Sequence, residues 1–131
     1  MIGLDTNVVV RYLTHDDPVQ TTAAVRVMDS LSSESPGFIS LVVIAELIWV
    51  LESSYRFTKK EIEQTVETLL RSEELVLERA ETVSQALRLF HASRADFADC
   101  LIERCGHAAG CKDTITFDRK AASAGMHLIR A

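Results

Sequence analysis

Five carboxylates in this chain of 131 residues fall where a carboxylate is either costly or useful. Asp5 and Asp118 each follow a short apolar run, Ile2-Gly3-Leu4 and Thr114-Ile115-Thr116-Phe117. Glu46 interrupts the apolar stretch from Leu41 to Leu51, and Asp96 and Asp99 stand three apart just ahead of Cys100-Leu101-Ile102. An ionised carboxylate in apolar surroundings persists only when it is paired, hydrogen-bonded or metal-bound. Oxygen donors with few histidines suit hard cations such as magnesium or manganese. Two such ions roughly 3.5–4 Å apart can activate a water and stabilise the leaving oxygen of a phosphodiester. That chemistry is open to Asp5, Glu46, Asp99 and Asp118 if the fold gathers them.

Each of these residues also has a plainer reading. An Asp after a strand can simply cap the helix that follows. Asp96 reads equally well as an N-cap, while Asp99 shares its helix face and its favourable place near the positive end of the helix dipole. Glu46 also reads as part of a solvated stripe, with Ser40 and Ser53 on the same segment as weak support. Glu103, one turn beyond Asp99, either extends the acidic face or is solvated. Arg11, Arg56, Arg94, Arg119 and Lys120 flank the acidic segments and are candidates to hold neighbouring phosphates, or are ordinary surface charges. The four histidines (His15, His91, His107 and His127) are dispersed, and none is marked as a general base.

The elements that must position these groups follow from periodicity and caps. Ile2-Gly3-Leu4, Phe38-Ile39, Leu75-Val76-Leu77, Thr114 to Phe117 and Leu128-Ile129 are short apolar runs suited to buried strands. Between them lie helical segments. Thr6 to Leu13 is one, and Asp16-Asp17-Pro18 opens a second, reaching about Leu31, with proline in its first turn. Leu41 to Ser53 is too long for a strand. Thr58-Lys59-Lys60-Glu61 is a capping box heading a helix to about Arg71. Ala80 to Ala92 is amphipathic, with Val83, Ala86, Leu87 and Phe90 inward. Asp96 to Ala108 is closed off by Gly110, and a short helix precedes the last strand. Strands alternating with helices imply an α/β fold, a short parallel sheet flanked by helices on both faces. Strand ends of an open parallel sheet are where ligands bind, and two strands ending in Asp5 and Asp118 can place two acids side by side.

Composition narrows the class. A hydrophobic content of 47% with 25% charged residues, two prolines and five glycines describes a folded chain without linkers, and its length favours one domain over residues 1–131. No apolar run approaches the ~20 residues needed to cross a bilayer. The N-terminus lacks a signal-peptide pattern, so the expected location is the cytoplasm. Cys100, Cys105 and Cys111 are odd in number and lack metal-ligand spacing, so they are expected to be buried, inert thiols. The net charge of −5 argues against nucleic-acid binding by a basic surface. Bound cations would reconcile an acidic chain with a phosphate substrate.

The segments Ile2-Gly3-Leu4-Asp5-Thr6-Asn7, Val43-Ile44-Ala45-Glu46-Leu47, Asp96-Phe97-Ala98-Asp99-Cys100-Leu101-Ile102 and Thr116-Phe117-Asp118 resemble the signatures of PIN-domain nucleases. They occur in order along the whole chain, and its size is similar to that of the VapC-type toxins of bacterial toxin–antitoxin pairs. The resemblance implies a three-layer α/β fold and an endoribonuclease dependent on Mg2+ or Mn2+. It implies Asp5, Glu46, Asp99 and Asp118 as the acidic site, with Asp5, Asp99 and Asp118 on the metal and Asp96 accessory. Thr6 and Asn7 would orient Asp5, and Thr116 would lie beside the metal. It further implies an RNA substrate, a homodimer and a VapB-type antitoxin as partner. Cys100 stands where a small alanine is common in the family, and Glu103 is an additional acid.

Two other acid-centred enzymes fit less well. An aspartyl phosphatase needs a second acid two residues after its nucleophile, and position 7 is Asn. A phosphoacceptor receiver domain needs an acid pair and a strand-end lysine that are not evident. A different class stays open: a PIN-like module that keeps the acids but acts by binding RNA or protein without cutting. Cleavage that requires added metal separates the two.

Overall fold

Short apolar runs become strands wherever a neighbouring run can complete their backbone hydrogen bonds, and the longer, capped segments become helices. The computed structural model describes residues 1–131 and orders them as β1 (Ile2–Gly3), α1 (Thr6–Thr14), α2 (Pro18–Asp29), β2 (Gly37–Ile39), α3 (Leu41–Ser53), α4 (Lys59–Arg71), β3 (Leu75–Leu77), α5 (Ala80–Ala92), α6 (Phe97–Ala108), β4 (Ile115–Thr116), α7 (Arg119–Ala122) and β5 (His127–Leu128). The chain divides into two compact units, Met1–Glu78 and Arg79–Ala131. No helix is long and apolar enough to cross a membrane.

In the first unit β1, β2 and β3 form a parallel sheet in that order, with Ile2 opposite Gly37 and Gly37 opposite Leu75. Gly37 is required by close packing. A Cβ there would lie 2.8 Å from Leu4 Cδ1 and 2.9 Å from Leu31 Cδ1, so both leucines close over the bare backbone. Each helix start is fixed locally. Asp17 accepts the Gln20 N–H ahead of Pro18, Ser40 accepts the Val43 N–H, and Thr58 with Glu61 completes the reciprocal capping box. The core of this unit is Val9, Val10, Ile39, Ile44, Leu47, Ile48, Leu51, Ile62 and Val66, all fully buried. Helix α1 packs on α2 and α3, and α4 packs on α3 and β3.

In the second unit α5 lies against α6, and Phe90 meets Phe97 edge-on with ring centroids 5.7 Å apart. Strands β4 and β5 pair in parallel, Ile115 opposite His127 and Thr116 opposite Leu128, with α7 packed on both.

The parallel α/β class expected from the sequence is therefore present, with strands in two sheets of three and two. That division corrects one inference. Asp5 and Asp118 follow strands of different sheets, so a common sheet edge does not bring them together. Boundaries shift by a residue or two. The last strand is His127–Leu128 instead of Leu128-Ile129, because His127 N–H donates to the Thr114 carbonyl at 2.8 Å. Helix α2 stops at Asp29, leaving Leu31 to enter the core from the following loop.

Helix α4 begins on its capping box with two orphan N–H groups satisfied reciprocally. Thr58→Ala should cost about 1 kcal/mol of unfolding free energy, read as a lower urea midpoint at an unchanged slope.

Candidate functional site

Asp5 occupies the N-cap position of α1, yet its side chain makes no cap bond, and the residue is exposed. The plain capping role is thus not what its carboxylate performs. Thr6, next along, is buried, and its hydroxyl donates to Glu46 Oε1 on α3. The two elements bearing Asp5 and Glu46 are hereby tied through a single hydrogen bond. The family resemblance implied that Thr6 orients Asp5; its hydroxyl donates to Glu46. Asn7 is exposed and borders a shallow hollow of about 260 Å³ with Val8, Ala23 and Ala24.

Glu46 requires a second correction. The apolar run around it suggested a helix buried nearly all round, with a carboxylate stranded in the core. Helix α3 instead buries one face, Ile44, Leu47, Ile48 and Leu51, and exposes Glu46 with Val42 and Trp49 beside it. Val42 is 77% and Trp49 66% exposed, so apolar composition misreported burial on this helix. Glu46 is marked by its partner Thr6, not by desolvation.

In the second unit three acids interact. Asp96 is the N-cap residue of α6 without a side-chain cap bond, Asp99 lies in the first turn, and Asp118 caps α7 by accepting the Lys120 N–H at 2.9 Å. Partial burial, and then the charges of Asp96 and Asp118, hold the Asp99 carboxyl above the usual carboxylate range. The Asp96 backbone N–H and the Lys120 charge oppose that rise without cancelling it. Thr116 Oγ1 accepts the Asp118 N–H at 3.0 Å and so fixes the turn that presents Asp118. Lys120 Nζ stands 3.9 Å from Asp96, both well exposed, an ion pair of small energetic weight. Glu103 is withdrawn from any acidic face, because both its oxygens accept from Arg104, at 2.5 and 3.1 Å.

The two candidate phosphate-holding arginines differ. Arg11 is engaged in its own unit, donating to Gln20 at 2.6 Å, Asp16 at 3.0 Å and Tyr55 at 3.1 Å, while the Tyr55 hydroxyl donates to Asp16. The hydrogen bond from Tyr55 is the main reason Asp16 sits below the usual carboxylate range. Nothing in the spacing of Arg11, Asp16, Gln20 and Tyr55 marks this network, since it joins residues from three separate segments. Arg119, the first residue of α7, is exposed directly after Asp118. Among the thiols only Cys100 is buried; Cys105 is half-buried and Cys111 exposed, which corrects the expectation that all three are core residues. Cys111 lies beyond the end of α6 in a loop, where the packing that covers Cys100 does not reach.

The donor set matches a hard cation. Every candidate ligand offers carboxylate oxygen, and the charges of Asp96 and Asp118, which add to the effect of burial on Asp99, are ones a bound cation would offset. No three of the His, Cys, Asp and Glu side chains are gathered into a metal-holding set.

Comparison with known proteins adds three findings. The family model described as "PIN domain" matches residues 2–125. A curated relative, "VapC ribonuclease" of Aquifex aeolicus (strain VF5), is 27% identical over 127 residues, covering 96% of this chain and 93% of that protein. The crystal structure of Mycobacterium tuberculosis VapC20, described as a Sarcin-Ricin loop cleaving toxin, aligns over 100% of both chains at 20% identity and a TM-score of 0.44.

Because the folded value of Asp99 is the higher one, the fold binds this proton more tightly than the unfolded chain. Stability therefore falls as pH rises through the window between the unfolded and folded values, and the repulsion is fully present above it. Asp99→Asn should melt higher than the parent at neutral pH, with the gap narrowing as the solution is acidified. A melt at neutral pH below the parent's would contradict the unfavourable setting of the Asp99 carboxylate.

Proposed function

Since this chain belongs to the PIN domain family, we propose that it is a divalent-metal-dependent endoribonuclease that cleaves RNA phosphodiester bonds, acting as the toxin of a VapBC-type toxin–antitoxin pair. The observation that carries the chemistry is the environment of Asp99, a carboxyl pushed up first by partial burial and then by two neighbouring acids. The naming of the Aquifex relative as a ribonuclease supports the reaction class. The family model runs through both compact units, which supports a single nuclease domain over residues 1–131.

In this proposal Asp5, Asp99 and Asp118 hold Mg2+ or Mn2+, and Glu46 completes the acidic site. A bound ion of this kind supplies Lewis-acid activation of water and neutralises charge at the phosphate. The protein side chains supply position. Asp5 keeps its carboxylate free of a cap bond, Thr116 fixes the turn at Asp118, and Asp96 adds negative charge beside Asp99. Glu46, with Oε1 bound by Thr6, offers Oε2 as a hydrogen-bond acceptor. Asn7 is an accessory to the Asp5 segment. Arg119 is the better placed phosphate contact, with Arg11 a weaker candidate because its guanidinium is already engaged. Single-stranded or loop RNA is the fitting substrate, because its backbone and unstacked bases are accessible. A VapB-type antitoxin, a homodimer and a cytoplasmic setting complete the proposal.

Incubation of the purified protein with a structured RNA pool, with Mg2+, with Mn2+ and with excess chelator, tests it. Cuts should appear only with metal. Asp5→Asn and Asp99→Asn should each lower the rate more than about 100-fold while circular dichroism stays native. RNA binding without cuts under every metal condition would replace the nuclease with a binding module.

A further inference from the structure

Threonine hydroxyls inside helices of this protein mostly turn back on their own backbone. Thr14, Thr22, Thr65 and Thr68 each donate to the carbonyl four residues earlier. Thr6 does not. As the first residue of α1, it has no helical turn behind it, and its hydroxyl donates instead to Glu46 Oε1, forty residues along the chain. Thr6 is buried at 5% exposure, whereas Glu46 is exposed, so the anchored end of this pair is the threonine. A β-branched side chain is stiff at χ1. An exposed glutamate otherwise samples many rotamers, and fixing one has an entropic cost.

We propose that Thr6 is a positioning residue for Glu46: its buried hydroxyl pins Oε1, confines the carboxylate to one rotamer and leaves Oε2 as the oxygen presented to the reacting groups. This assigns Thr6 to the glutamate and not to its sequence neighbour Asp5. What Glu46 does there rests on the nuclease function proposed above; the contact itself does not. The bond is charge-assisted, which strengthens it relative to a neutral pair. Holding a reacting group in place before substrate arrives lowers the barrier by removing orientational freedom in advance.

The test uses the full chain with Thr6→Val, which keeps shape and removes the donor, and Thr6→Ser, which keeps the donor. Metal-free protein labelled with 13C at the glutamate carboxyl reports the contact directly at neutral pH. The Glu46 carboxyl resonance should move in T6V and stay at the parent position in T6S. With Mg2+ and an RNA oligonucleotide, T6V should lower kcat about 10–100-fold at unchanged KM, the range typical of lost outer-shell partners. T6S should recover most of it, and T6V should add no further loss to E46Q. An unmoved Glu46 resonance in T6V, or an equal loss from T6V in the E46Q background, overturns the proposal. If T6V does not fold, Thr6→Ala provides the same donor deletion. Parent protein that leaves RNA intact with both metals refutes the nuclease function and the catalytic part of the proposal, and the resonance still decides separately whether Thr6 holds Glu46.

Discussion

A carboxyl held partly buried beside two other acids is the constraint on which the acidic cluster of the second unit depends. A half-buried acid beside two others is unfavourable in its charged form, as the raised Asp99 value records. Two influences in the same unit temper the repulsion, the Asp96 backbone N–H and the Lys120 charge. Folds keep such an arrangement when it serves something other than stability, and a hard cation bound among oxygen donors is what it fits. Under the proposed function the ion would present the positive charge, and the acidity of the chain would not conflict with a polyanionic substrate.

In both units the candidate acids lie on short segments that follow strands or open helices. Asp5 follows β1 and starts α1, Asp96 and Asp99 start α6, and Asp118 follows β4 and starts α7. A helix N-terminus favours negative charge, so each acid has some compensation before any ion arrives. The same positions let a carboxylate act as an ordinary cap, and Asp118 does accept a backbone N–H. Asp5 and Asp96 occupy N-cap positions without a side-chain cap bond.

Glu46 follows a different logic. It sits in the second turn of α3, too far along for a capping role, and depends on a hydroxyl from another element for its orientation. The apolar residues around it divide between a core face and an exposed face carrying Val42 and Trp49. Helix α3 thus buries one apolar face and leaves further apolar side chains exposed on the other.

Much of this was legible in the residues alone. Proline at α2, the Thr58–Glu61 box and the apolar periods set the helices to within a residue or two, because caps and periodicity are local properties of the chain. The acids stood out because polar groups following apolar runs are locally visible. Tertiary structure alone decided the rest. It put β1 and β4 in separate sheets, exposed Glu46, gave Glu103 to Arg104, engaged Arg11 with Asp16, Gln20 and Tyr55, and left Cys111 uncovered. It also sent the Thr6 hydroxyl to Glu46 and not to Asp5. Apart from the neighbouring Glu103–Arg104 pair, these outcomes depend on which segments the fold packs together, and no local pattern encodes that.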